Sequence, residues 1–156
     1  MIVLYRQSTN KIIWKGTGHF YRQHDVDILD SERISIFNNN SLEGTEGYFG
    51  GGSVVVIYDF KKDKYSKYLS EALIKNKVKT LMEGRSEILP NGDLFIEESN
   101  RGRTLFFNAD GTLRWEHYNR AADDKVYRVG WSRILHSAQD IKIVKNFLNS
   151  REKCND

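Results

Sequence analysis

The sequence predicts an all-β chain, a partial β-propeller of about two and a half four-stranded antiparallel blades forming an open arc. Three observations carry that expectation. HDVDIL at 24–29 returns as GRSEIL at 84–89 and GWSRIL at 130–135, the last two sharing four of six residues. The first two are each followed by a tight polar turn and a further strand-like run, RISIFNNN (33–40) and DLFIEESN (93–100). LYRQSTNKIIWK (4–15) aligns without gaps to LFFNADGTLRWE (105–116), each a strand, a polar turn, and a strand ending in Trp plus a charged residue. Short runs rich in β-branched and aromatic residues, joined by Asn-Gly and Asp-Gly turns, are hairpin signals. Four-stranded units recurring along a chain are what propeller blades look like in sequence. A two-sheet sandwich also uses short, evenly spaced strands, but needs no internal similarity.

In chain order, 1–16 reads as half a blade, 24–69 as a whole blade, 84–118 as a second, and 130–136 as the opening strand of another. Residues 1–136 thus form the arc and 137–156 a polar C-terminal tail. SVVVIYDFKKDKYSKYL (53–69) supplies the second hairpin of the first whole blade, turning at Lys62-Asp63. Residues 67–84 depart from the β pattern. Ser70-Glu71 start a short helix there, with Leu69, Leu73 and Ile74 at helical spacing, while Val78, Leu81 and Met82 suit extended chain. Gly50–Gly52 lack the lysine and following helix of a phosphate loop and read as a flexible linker. Trp14 and Trp115 recur at one repeat position and read as packing. An open arc exposes strand edges. The chain is therefore expected to be part of a longer propeller, a truncated paralogue, or a subunit that closes a ring by self-association.

Composition excludes several function classes. With 156 residues, a formal charge of +3 and one proline, the chain suits a single folded domain. The lone Cys154 rules out an intrachain disulfide and a cysteine zinc site. No apolar run approaches the ~20 residues of a membrane span. The N-terminus turns polar too early for a signal-peptide core, so the sequence as written predicts neither export nor anchoring. Lysines 61, 62, 64, 67, 75, 77 and 79 read as a solvated strand edge, not a nucleic-acid surface. Asp25, Asp27, Asp30 and Glu32 lack the glycine of a calcium loop and run through a strand, so no metal site is expected.

In a meander, successive turns alternate between the two ends of the sheet. The short turns at Asn10, Asp30–Glu32, Pro90–Gly92 and Asp110–Gly111 then share one end, and the longer connections 16–24, 38–53, 82–86, 98–104 and 117–131 share the other. Functional side chains concentrate in long loops on a rigid scaffold. The loop-rich end carries His19, His24, Asn38, Asn39, Asn40, Arg85 and Arg101. In a propeller, the first strand of each blade lines the central channel. His24 opens one such strand, the asparagines close its neighbour, and Arg85 opens the next first strand. An imidazole is a nucleophile or general base, and amide and guanidinium groups hold an anionic tetrahedral group. Plainer roles stand beside these. The asparagines suit turns, and the arginines suit surface pairing with Glu83, Glu87, Glu97 and Glu98. His24 suits a tie to Asp25, and His117 and His136 suit structural or surface positions.

HDVDILDSERISIFNNN and EGRSEILPNGDLFIEESNRGRTLFFNADGTLRWEHYNR, spanning most of residues 3–136, resemble the C-terminal part of the arylsulfotransferase-like proteins. The resemblance implies a β-propeller that moves a sulfuryl group from a phenolic sulfate donor to a phenol acceptor without PAPS and without another cofactor. It implies a sulfated histidine, with further histidine, asparagine and arginine side chains holding the sulfate oxygens. His24 is then the catalytic candidate, as nucleophile or sulfate ligand, with Asn38, Asn40, Arg85, Arg101 and His19 as sulfate-holding candidates. The parent family is periplasmic or membrane-anchored in bacteria. Gly84 and Gly130 stand where His24 stands in the first repeat, and no arginine follows shortly after Asn40, so the implied site is incompletely supplied. The alternative is a non-catalytic propeller module that binds a ligand or partner at its loop-rich face.

Overall fold

Alternating side chains give β4 (Arg33–Asn38) two apolar faces, and the fold buries both. In the computed structural model, which describes residues 1–18, 20–44 and 47–150, β4 sits inside the antiparallel sheet β3–β4–β7–β8. Its neighbours are β3 (Gln23–Ile28), β7 (Val54–Asp59) and β8 (Lys64–Tyr68). Ile34 and Ile36 face Val56 and Tyr58 and meet the two-stranded hairpin of β1 (Ile2–Arg6) and β2 (Lys11–Gly16), whose Trp14 stacks on Tyr58 at 4.7 Å. Phe37 and Val55 point the other way, toward a second meander, β9–β10–β11–β12. That sheet consists of β9 (Arg85–Ile88), β10 (Leu94–Glu98), β11 (Arg103–Phe107) and β12 (Leu113–Tyr118). Leu94, Ile96, Leu105 and Phe107 complete the core between the two sheets. Each fully buried side chain of this size contributes about 1.5–3 kcal/mol. On its far face Phe95 and Phe106 pack with Leu89, Ile134 and the ring of Trp115.

The layering is thus hairpin, sheet, sheet, and chain segment, each consecutive in sequence and each packed on the one before. The short helix α1 (Ser70–Lys75) lies where the sequence places it, and its Leu73 drops into the core between the sheets.

Three segments differ from expectation. The connection 38–53, read as a loop with a glycine linker, contains a small ladder of β5 (Ser41–Gly44) and β6 (Gly47–Gly50). Such a ladder needs only backbone partners, which glycine supplies as well as any residue. Residues 130–136, expected as an opening strand, pair with no strand among the described residues. Side chains hold this segment instead. Ser132 N–H donates to Glu97 Oε2 at 2.6 Å and the Ser132 carbonyl accepts from Arg85 Nη1 at 3.1 Å. The segment read as a polar tail carries α2 (Ala138–Ser150), opened by a Ser-x-x-Asp capping pair in which Asp140 N–H donates to Ser137 Oγ at 3.0 Å. Cys154 lies outside the described residues.

Candidate functional site

The three repeats converge at the inner edges of the sheets. Their second positions are Asp25, Arg85 and Trp131, and these touch. Arg85 Nε donates to Asp25 Oδ1 at 3.4 Å, and the guanidinium lies 4.4 Å over the Trp131 ring. Asp25 Oδ2 also accepts from Ser86 N–H at 3.0 Å, so one carboxylate ties β3 to β9. The fourth positions are Asp27, Glu87 and Arg133, and all three line a cleft of about 740 Å³ below this contact. Arg33, Arg85 and His136 complete its polar wall, with His136 Nδ1 3.9 Å from Glu87.

A β-bulge sets the direction of the first strand. Asp25 has φ of 58°, a left-handed conformation that Asp tolerates better than most residues, and the ladder slips by one residue there. The slip puts His24 opposite Phe37 and Asp27 opposite Ser35, both on the face turned to the second sheet. Without the extra residue, His24 and Asp27 would fall on opposite faces. His24 is exposed at the open end of this edge and does not line that cleft.

Burial raises the Asp27 carboxyl from its ordinary 3.8 to about 6, helped by the negative charges of Asp25 and Glu87 and opposed by Arg85 and Arg133. The folded state therefore binds this proton more tightly than the unfolded chain, and Asp27 costs stability as pH rises through 6. Asp27→Asn is expected to be more stable than the parent near neutral pH by about 1–2 kcal/mol after screening. That advantage should vanish below about pH 4, where both states are protonated. Urea unfolding of the two proteins across that window checks it.

The loop-rich end is filled by a polar network instead of an open site. Asn38 Oδ1 accepts from the N–H groups of Tyr21 (3.0 Å) and Asn40 (3.1 Å), Asn39 Nδ2 donates to the Arg22 carbonyl at 2.7 Å, and Asn40 Nδ2 donates to the Gly52 carbonyl at 3.2 Å. Thr80, Ser53 and Asn100 continue it, with Asn100 Oδ1 accepting from both Thr80 Oγ1 and Met82 N–H. The asparagine run thus clasps three loops. Asn38 pairs with Val54 and Gln23, on the face of β4 opposite to Phe37, so it and His24 lie on opposite faces of the sheet. Asn38 and Asn40 share a separate pocket of about 410 Å³ with Phe20, Tyr21, Val54, Val56, Tyr65 and Lys67. Arg101 is half exposed, 4.0 Å from Glu98 and 3.5 Å from the Lys77 carbonyl, apart from both pockets. His19 lies outside the described residues.

Of the sequence candidates, the fold brings His24 and Arg85 to the open ends of adjoining first strands, with Asp25 between them in sequence and in space. Asp27, Glu87 and Arg133 were missed as site residues. Their signal was a charged residue at the fourth place of all three repeats, between small or apolar residues at the third and fifth. A guanidinium held between a carboxylate and an indole can neutralise an anionic ester, and an exposed imidazole such as that of His24 can attack one. No group of His, Cys, Asp and Glu among the described residues has the arrangement of a metal site. No helix among them is long and apolar enough to cross a membrane. A family model described as Arylsulfotransferase (ASST) matches residues 1–120. No curated protein and no solved structure matches the chain.

Proposed function

This chain belongs to the arylsulfotransferase family, and on that premise we propose that it transfers a sulfuryl group between phenolic compounds through His24. The observation that supports the reading most is the Asp25–Arg85 tie, which brings the start of β3, where His24 stands, to the start of β9. A ring nitrogen of His24 attacks the sulfur of an aryl sulfate, the sulfur–oxygen ester bond breaks, and the phenolate leaves and takes a proton from solvent. The acceptor phenol oxygen then attacks the same sulfur, the nitrogen–sulfur bond breaks, and the acceptor's proton is lost. Arg85 offsets the negative charge of the ester as it is displaced. Arg101 and His19 are kept as sulfate-holding candidates from their places in the loops, whereas Asn38 and Asn40 would hold an anion only on the face opposite to His24. The layered sheets read as consecutive propeller blades, spanning 1–16, 24–69 and 84–118 within an arc of 1–136, with 137–156 appended. Self-association would then wall the inner groove on its open side.

Colorimetric release of 4-nitrophenol from 4-nitrophenyl sulfate, with a second phenol as acceptor, tests the reading. Turnover is expected to fall to background in His24→Ala and to drop strongly in Arg85→Met. Turnover unchanged in His24→Ala would remove the histidine from the chemistry. A second reading, a non-catalytic module that binds a ligand at its loops, is favoured by the engagement of Arg85 and the asparagines with protein groups. No release with wild-type protein, together with saturable ligand binding, would select it.

A further inference from the structure

The smaller pocket carries a different inference, independent of transfer chemistry. It lies on the sheet β3–β4–β7–β8 against residues 20–21, on the face turned away from Phe37 and the second sheet. Its walls are chemically one-sided. Phe20, Tyr21 and Tyr65 supply three aromatic rings, and Val54 and Val56 supply an aliphatic floor. Phe20 and Tyr65 meet edge-to-face at 5.6 Å, and Tyr65 also rests against Tyr58 at 4.7 Å, so the Tyr65 ring is held in place at the pocket wall. The volume of about 410 Å³ falls within the usual range for small-molecule sites and is ample for one or two fused rings.

Polar groups are few, and the buried Asn38 spends its carbonyl on the N–H groups of Tyr21 and Asn40. Asn40 already donates one amide hydrogen to Gly52, which orients its side chain and leaves the second donor. Among the described residues, Lys67 is the one charged residue of the lining, and no carboxylate stands within ion-pair distance of it. The larger cleft differs on this point, since its arginines and histidine face Asp27, Glu87 and Asp140 in near balance. An apolar, aromatic pocket with a single ammonium and a free amide donor selects a flat ring bearing one negative oxygen.

We propose that this pocket binds a small planar aromatic acid, its ring against Phe20, Tyr21 and Tyr65 and its carboxylate or phenolate on Lys67 and Asn40. Because the face is opposite to that of His24, occupancy should be unaffected by His24→Ala, which separates failure of this proposal from failure of the transfer reading.

Three probes decide it by NMR titration of the folded full chain: 2-naphthoate, uncharged 2-naphthylmethanol, and non-aromatic cyclohexanecarboxylate. The expected result is saturable binding of 2-naphthoate with shifts centred on Tyr65, Val54 and Val56, and binding of each control weaker by about threefold or more. Tyr21→Ala and Lys67→Ala, both at exposed side chains, should each weaken 2-naphthoate about three- to tenfold while leaving the melting temperature near that of the parent. Equal binding of all three probes, shifts centred elsewhere, or no binding would overturn the proposal, as would full affinity in Lys67→Ala.

Discussion

Arg103→Met should lower the stability of the fold by about 3–5 kcal/mol, more than any other single side-chain truncation considered. Leu94, Ile96 and Glu98 follow one another along one face of β10, paired with Phe107, Leu105 and Arg103 of β11. The apolar row therefore ends in an ion pair with the Glu98 side chain fully buried and Arg103 only 9% exposed. Arg103 Nε donates to Glu98 Oε2, and Nη2 reaches the carbonyls of Asn76 at 3.2 Å and Lys77 at 3.4 Å. Glu98 Oε1 accepts from Lys79 N–H. The pair thus fastens the crossover after α1 onto the second sheet. Removing the guanidinium strands a buried carboxylate, the costly half of such a change. Replacing both partners, as Arg103→Met with Glu98→Leu, should recover most of the loss, because no charge is then left unpaired. Urea midpoints of the parent, the single variant and the double variant measure this directly.

Gly102→Ala is expected to cost about 2–4 kcal/mol. Gly102 has φ of 60°, and a Cβ built on it would lie 1.9 Å from the Tyr127 carbonyl oxygen. That oxygen is backbone and accepts from Asn119 Nδ2 at 3.3 Å, so it cannot swing aside. Asn119 N–H donates to the Gly102 carbonyl at 2.8 Å, which holds loop 119–128 on the same spot. The strain of a left-handed alanine and the clash act together. Thermal melts should show the loss, and amide exchange should show it concentrated at Asn119 and Tyr127.

Much of the architecture was legible because it follows from side-chain period. Ile34, Ile36 and Phe37 announce a strand buried on both faces, and the gapless match of 4–15 to 105–116 marks β1–β2 and β11–β12 as equivalent hairpins. The helical turn at Ser70 was legible from composition. What escaped notice rests on geometry that no single residue type signals. The bulge at Asp25 re-aims His24, yet Asp appears equally often in regular turns. The Asn38–Asn40 run looks alike whether it clasps loops or holds a ligand, and only its hydrogen-bond partners tell. The strand expected at 130–136 had the right residues, but the side chains of Glu97 and Arg85 take the N–H and carbonyl of Ser132 there. The helix α2 was hidden by its charge, although Ile141, Val144 and Leu148 recur at helical spacing along it.

Transfer through His24 requires that its ring carry the sulfuryl group, and covalent trapping tests that most directly. Trypsin releases residues 23–33 as one peptide in which His24 is the only histidine. After brief incubation with an aryl sulfate and digestion near neutral pH, mass spectrometry should find a sulfuryl adduct on that peptide, lost on adding acceptor phenol and absent from His24→Ala. Phenol release with that peptide unmodified, or an adduct on His117 or His136 instead, would contradict the account.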